Sequence, residues 1–173
     1  MTKARASQPT LSPAPDEAPP QDEASWRRGL ELVFFSHMEM AAAGDAVLAD
    51  LGLGRPHHRV LYLSARHPGI TVNDILGILR ITNQALGRTL KELMAQDLIV
   101  QRLDPHDRRR RGHYVTPKGA RLDARVAEAQ FRMIAAAYDR VPRSDIEGFW
   151  RTLEAMMRDE DRRWVSAAPT QSS

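Results

Sequence analysis

The chain has 173 residues, no cysteine and a formal net charge of only +3, which excludes disulfide scaffolding and thiolate chemistry and fits one globular domain with unstructured ends. Its composition is ordinary for a globular protein, with a high charged fraction and few aromatic residues. No run approaches the roughly 18 uninterrupted apolar residues of a membrane span, and no apolar signal core opens the chain, so the expectation is a cytoplasmic protein without a membrane partner.

Residues 1–24, "MTKARASQPTLSPAPDEAPPQDEA", and 165–173, "VSAAPTQSS", hold too little apolar surface to offset the entropy of ordering and are expected to be disordered tails. From Ser25, the spacing of Trp26, Leu30, Val33, His37 and Ala41, with Phe34 and Met38 beside them, predicts a first helix that ends near Gly44. Pro56 suits the first turn of a second helix through Val60, Leu61 and Leu63. Thr71 opens a short third helix through Ile75, Leu76 and Leu79. Thr82 caps a fourth, "NQALGRTLKELMAQ", with Leu86, Leu90, Leu93 and Met94 as its buried stripe. "LIVQRL" and "GHYVT" read as two short strands around the basic tip "DPHDRRRR". Thr116 and Pro117 then start a long fifth helix to about Arg140. A capping box of Ser144 with Glu147 starts a sixth, which carries Ile146, Trp150, Leu153, Met157 and Trp164. The fifth helix bears two apolar seams, one through Leu122, Val126, Ala129, Met133 and Ala136 and the other through Ala127, Phe131, Ile134 and Tyr138. Two seams need two partners, and a second subunit is an economical source of one.

Charge is unevenly placed. Between Thr71 and Arg121 ten Lys and Arg face five Asp and Glu, a surplus of five, so the remainder of the chain is net −2. A positive middle flanked by weakly acidic parts suggests a polyanionic partner.

Two helices joined by the turn Arg80 to Thr82, followed by a basic hairpin, are the order of parts in a winged helix-turn-helix. Thr82, Asn83, Gln84, Gly87 and Arg88 would stand at the start of the recognition helix. Amide side chains pair with adenine and arginine with guanine, while Lys91 and Thr89 suit phosphates. Gly87 costs a helix interior about 1 kcal/mol relative to alanine, which a close approach of another backbone or of DNA would explain. Arg108, Arg109, Arg110 and Arg111 at the tip fit a narrow minor groove, with Asp104 and Asp107 as internal partners that fix the shape of the wing. The competing reading of both features is a solvated polar surface.

The stretches "ITVNDILGILRITNQALGRTLKELMAQDLI" and "VQRLDPHDRRRRGHYVTPKG" resemble the MarR family of transcription regulators. The wing pattern D-x-x-D-x-R falls on Asp104, Asp107 and Arg109, and the T-x-K-G entry to the fifth helix on Thr116, Lys118 and Gly119. The similarity covers about residues 26–164, and "FFSHMEM" with "ILRITNQALGRTL" resembles the PetP-like branch of that family. The resemblance implies a mainly α fold with a small β-hairpin wing, in which dimerisation helices at about 25–44 and 117–164 flank a winged helix-turn-helix at about 55–116. It further implies a homodimer on a palindromic double-stranded operator, repression, and release by a small aromatic or phenolic effector. Asp97 stands where the family commonly has glycine, and aspartate tolerates the left-handed turn better than most residues. Gly77 and Ile78 replace positions usually charged and leave the third helix unusually apolar. Cysteine-based redox sensing is excluded.

His37, His57, His58 and His67 cluster in the first two helices. A zinc site would need three convergent ligands, such as His37, Glu39 and one of the adjacent pair, and those two point about 100° apart on a helix. The expectation is no metal and no cofactor. A ligand pocket of Phe34, Phe35, Met38, His58, Tyr62, Arg66 and Phe131 would suit an aromatic acid. No phosphate-binding glycine loop, nucleophile elbow or H-E-x-x-H motif is present, so the chain does not read as an enzyme. The alternative function is a winged-helix protein interaction module without operator binding.

Overall fold

The computed structural model describes residues 21–103 and 111–165. Helix α1 (Glu23–Leu48) begins where Asp22 accepts a hydrogen bond from the Ser25 N–H at 2.9 Å. Glu23 and Ala24, expected in the tail, therefore form its first turn, and the two carboxylates complement the positive helix end. Gly44 does not end the helix. It is buried where α1 crosses the fifth helix, and a Cβ there would lie 3.3 Å from Val126. The glycine thus permits close helix approach while α1 continues to Leu48 and a 3-10 turn over Ala49–Leu51.

Helix α2 (Arg55–Arg66) carries Pro56 in its first turn and receives an unforeseen cap, the Gly54 N–H donating to His57 Nδ1 at 3.1 Å. A two-residue strand, β1 (Ile70–Thr71), precedes α3 (Val72–Leu79), where Thr71 and Asp74 cap each other reciprocally. The strand was not legible in the pattern because two residues carry no periodicity. Helix α4 (Asn83–Ala95) follows, with Thr82 accepting from the Ala85 N–H at 3.2 Å. Its end is a Schellman motif: Leu98 N–H bonds the Leu93 carbonyl, Asp97 N–H bonds that of Met94, and Asp97 takes φ 55°. Leu86, Leu90 and Leu93 are buried as expected, but Met94 is 40% exposed. It sits one position beyond Leu93, about 100° round the helix.

Strands β2 (Ile99–Leu103) and β3 (Arg111–Val115) form the hairpin, and β3 is the centre of an antiparallel sheet ordered β1-β3-β2. Opposite it, Gln101 and Ile70 both register with His113. Helix α5 (Pro117–Tyr138) is entered through Thr116, and α6 (Arg143–Met156) and the short α7 (Asp159–Arg162) complete the described chain. Two expectations for α6 fail. Pro142, extended at φ −64° and ψ 156°, takes the cap position without a side-chain bond and starts the helix two residues early. Ser144 then lies inside the first turn and bonds Asp145, while Glu147 pairs with Arg143 at 2.8 Å. Trp164 is not on α6, because the chain breaks at Met157 and turns back until the Trp164 ring stands 4.8 Å from that of His67.

The core gathers α2, α3, α4, the sheet, the end of α1 and the start of α5: Leu48, Val60, Leu61, Ile75, Leu86, Leu93, Leu98, Ile99 and Val126 are almost wholly buried. By contrast, the first five turns of α1 and all of α6 bury no apolar residue fully. Trp26, Leu30, Phe34 and Phe35 on α1, Phe131 on α5, and Phe149 and Met156 on α6 are all about half exposed or more. The stretch Glu23–Leu51 is, by length and composition alone, apolar enough to cross a membrane. Its last turns belong to the domain core, where Leu48 is fully buried and Asp45 pairs with Arg55 at 2.8 Å.

Candidate nucleic-acid interface

Helix α4 divides cleanly. Leu86, Thr89, Leu90 and Leu93 face inward, while Asn83, Gln84, Gly87, Arg88 and Lys91 are exposed together on the outward face, with Thr82 exposed at the cap. Thr89 departs from the expectation of a phosphate contact: it is 6% exposed and its hydroxyl donates to the Ala85 carbonyl at 3.1 Å. A Cβ on Gly87 would meet no atom within 4 Å. No backbone among the described residues therefore requires that glycine.

Arg88 extends outward with its side chain 82% exposed, yet it is held at its base. Its Nε–H donates to Glu92 Oε1 at 2.9 Å, and Glu92 Oε2 lies 2.6 Å from His57 Nε2 on α2. The Gly54 N–H occupies His57 Nδ1, so the neutral ring carries its proton on Nε2 and donates it to Glu92. The hydrogen bond from Arg88, then that from His57, hold the Glu92 carboxyl below its ordinary range. An Arg-x-x-x-Glu spacing is visible in the sequence, but the histidine partner on another helix is not.

The root of the wing is locked by a second chain of polar contacts. His113, with no exposed surface, places Nδ1 3.1 Å from the Ile70 carbonyl on β1 and Nε2 3.3 Å from Gln101 Nε2 on β2. The carbonyl can only accept, so Nδ1 carries the proton and Nε2 accepts from the amide. Gln101 in turn accepts from Arg111 at 3.3 Å. Burial depresses the His113 pKa, against a smaller opposing effect of the Ile70 carbonyl. One side chain thereby ties the three strands together. Gly112 lets β3 pass Gly69, since a Cβ there would stand 2.8 Å from the Gly69 backbone. Arg102 stacks over the Tyr114 ring at 5.2 Å. Arg111 opens β3, while Asp104, Asp107, Arg108, Arg109 and Arg110 lie outside the described residues.

The T-P-K-G segment fastens α5 to the end of α4. Thr116 Oγ1 donates to the Asp97 carbonyl at 2.6 Å and accepts from the Gly119 N–H at 3.0 Å, while Lys118 Nζ donates to the Gln96 carbonyl at 2.8 Å.

The histidines go to separate places. His37 is exposed on α1, His57 meets Glu92 and His67 meets Trp164. His58 sits beside Gly44, with its ring 6.4 Å from that of Tyr62. Burial lowers the His58 pKa, opposed by the nearby Asp123 and Asp45. Burial likewise raises that of Asp123, whose Oδ1 is buried without a hydrogen-bond partner among the described residues. Phe34 and Phe35 meet edge to face at 5.3 Å on exposed α1, near Met38 in sequence. Phe131 lines an open groove of about 420 Å³ on α5 with Ala124, Ala127, Glu128, Arg132 and Ala135. Among the described residues, no group of three or more His, Asp or Glu is placed to hold a metal ion.

The MarR family model matches residues 51–110, the span from the approach to α2 into the wing. The HTH-type transcriptional regulator PetP of Rhodobacter capsulatus is 36% identical over 137 residues, covering 79% of this chain and 82% of that one. Among solved structures, a MepR variant of S. aureus bound to an oligodeoxyribonucleotide is 25% identical, with a TM-score of 0.52 over 75% of this chain and 94% of that one. CouR of Rhodococcus jostii, bound to p-coumaroyl-CoA, shares the fold with a TM-score of 0.63 at 22% identity, over 76% and 92% of the two chains. An outward polar face on α4, a sheet-rooted wing and the identity to a curated regulator agree: the chain belongs to the MarR family and is a non-enzymatic, DNA-binding transcriptional regulator.

Proposed function

We propose that the protein works as a cytoplasmic homodimer on a two-fold symmetric operator, as a repressor released by a small aromatic or phenolic ligand. The observation that carries the dimer is the apolar surface left open on α1, α5 and α6. Phe35 is 65% exposed, Leu30 70% and Met156 68%, and large apolar side chains left this open on three helices are what a protein interaction face presents. A second copy would cover it, and a two-fold axis would set two α4 helices on successive major grooves. In this reading residues 25–44 and 117–164 make the dimerisation region, and 55–116 the DNA-binding unit. Asn83, Gln84 and Arg88 read bases, Thr82 and Lys91 meet phosphates, and the wing with Arg108 to Arg111 enters the flanking minor groove, shaped by Asp104 and Asp107.

The junction between the two parts supplies the ligand reading. His58, Tyr62 and Arg66 lie along α2, and the buried Asp123 Oδ1 has no hydrogen-bond partner among the described residues. A phenolic hydroxyl would satisfy that oxygen, and Arg66 or His58 would take a carboxylate. Phe34, Phe35, Met38 and Phe131 would supply apolar walls once the second copy is in place. CouR, similar in fold, is solved with p-coumaroyl-CoA. The test is a titration of the protein on its operator with hydroxylated aromatic acids, followed by sedimentation. The reading expects a dimer that leaves DNA as ligand rises. A monomer, or a dimer unaffected by every such acid, would remove the corresponding half of it.

A further inference from the structure

We infer that Glu92 is a specificity-determining positioning residue: held by His57 from α2, it occupies the Nε edge of Arg88 and aims the two terminal nitrogens of that guanidinium at one base of the operator. The inference rests on the reading of α4 as the recognition helix and of Arg88 as a base contact.

A carboxylate has two oxygens, and here each takes one donor. Arg88 Nε–H reaches Oε1 at 2.9 Å and His57 Nε2 reaches Oε2 at 2.6 Å. The direction of the second bond is fixed one step further back, because the Gly54 N–H takes Nδ1 at 3.1 Å and leaves Nε2 as the donor. A relay of defined polarity therefore runs from the backbone before α2 to the outward face of α4. An exposed Arg–Glu pair at i,i+4 holds its partners weakly, since both side chains keep most of their rotamers. This pair differs in having one end fixed to the scaffold. The His57 side chain is only 14% exposed and that of Glu92 37%, while that of Arg88 is 82% exposed. With its Nε edge taken, the planar guanidinium presents its Nη1 and Nη2 end, the fork that fits O6 and N7 of guanine. The carboxylate has a second effect. It sets a negative charge beside Arg88, which weakens attraction to any phosphate and so penalises random DNA more than the operator.

The test compares full-length wild type with Arg88→Ala, Glu92→Gln, His57→Asn and the double variant R88A/E92Q, in competition binding to the selected operator, its single base-pair variants and random duplex. Glutamine keeps the size of Glu92 but has one acceptor oxygen and cannot serve both donors. Asparagine retains an acceptor for the Gly54 N–H while losing the Nε2 donor, so the anchor is removed and the cap kept. The two positioning variants lie on different helices, and a folding defect in one, seen by circular dichroism, leaves the other as the test. Arg88→Ala is expected to abolish preference at one base pair in each half-site. Glu92→Gln and His57→Asn are expected to cut preference at that same pair by about tenfold, the order of one bidentate base contact. Random duplex should bind Glu92→Gln as tightly as wild type or tighter, and R88A/E92Q should discriminate no worse than Arg88→Ala. Full retention of preference in both positioning variants, or an equal loss of affinity on every sequence, would overturn the role of Glu92 while leaving Arg88 as a reader. Unchanged preference in Arg88→Ala at every pair would remove the reading beneath it, and the inference with it.

Discussion

Gly119 and His113 show how much of this fold hangs on single residues. A Cβ on Gly119 would fall far inside contact distance of the Leu98 carbonyl, a backbone group that cannot move aside. Gly119→Ala is therefore expected to cost about 3 kcal/mol or more, at the upper end of single-substitution effects, readable as a lowered urea midpoint. In the sequence this glycine was legible only as part of the T-x-K-G pattern, because its reason is a contact with a residue 21 positions earlier. His113 was read simply as a strand residue, and its role in joining three strands depends on a register that no local pattern specifies. Its pKa lies below 6.5 in the folded chain because of burial, as does that of His58. The unfolded chain therefore binds more protons below about pH 6.5, so the stability these residues contribute is present above that value and is lost as pH falls through the folded pKa values. Each histidine adds a slope of at most about 1.4 kcal/mol per pH unit in that window. Urea unfolding at pH 7.5, 6.5 and 5.5 should show falling stability, and His113→Gln should be weaker at pH 7.5 but less sensitive to acid.

At the scale of elements, what was legible followed periodicity and caps. The helix-turn-helix emerged in place because Thr71, Thr82 and Thr116 each carry a side-chain cap, and because Leu86, Leu90 and Leu93 keep one face. Two misplacements arose where long-range contacts outweighed a local signal, as Gly44 accommodates α5 within α1 and Trp164 returns to His67, and a third where one local signal outweighed another, Pro142 replacing Ser144 at the start of α6. The folded-back segment also adds Arg158 Nη2 to the Gly77 carbonyl at 3.5 Å and Asp161 to Arg80 at 3.4 Å. Ile78 and Leu79 of α3, with Trp164, pack as partly buried residues against the core. This accounts for the apolar character of that helix. Gly87 poses the opposite case, a helix breaker with open space around it. Gly87→Ala should raise stability by about 1 kcal/mol, since alanine is the better helix former. If α4 lies as close to DNA as its polar face suggests, operator affinity should fall at the same time. A variant that is more stable and binds equally well would show that the backbone stays clear of the duplex.

Across the whole molecule, one half is a closed core and the other is an open apolar surface, and the dimer reading follows from that asymmetry. The two seams on α5 were visible in the sequence, but which partner each met was not, because periodicity reports that a face is apolar and not what covers it. Leu122 and Val126 turn out to pack within the chain, while Phe131 stays 66% exposed. Charged substitutions on the open face, such as Phe35→Glu on α1, should leave the winged-helix core folded. They should lower sedimentation mass to that of a monomer and, with one half-site held per molecule, reduce operator affinity by at least about 100-fold through lost bivalency. Sequence reading by a dimer is tested first by selection of bound sequences from a random duplex pool by the wild-type protein, at low and at near-physiological salt. A dimeric sequence reader predicts a two-fold symmetric site with half-sites about one helical turn apart, bound less tightly as salt rises. Recovery of no sequence above background at either salt would contradict it and leave the protein-interaction module as the account of this surface.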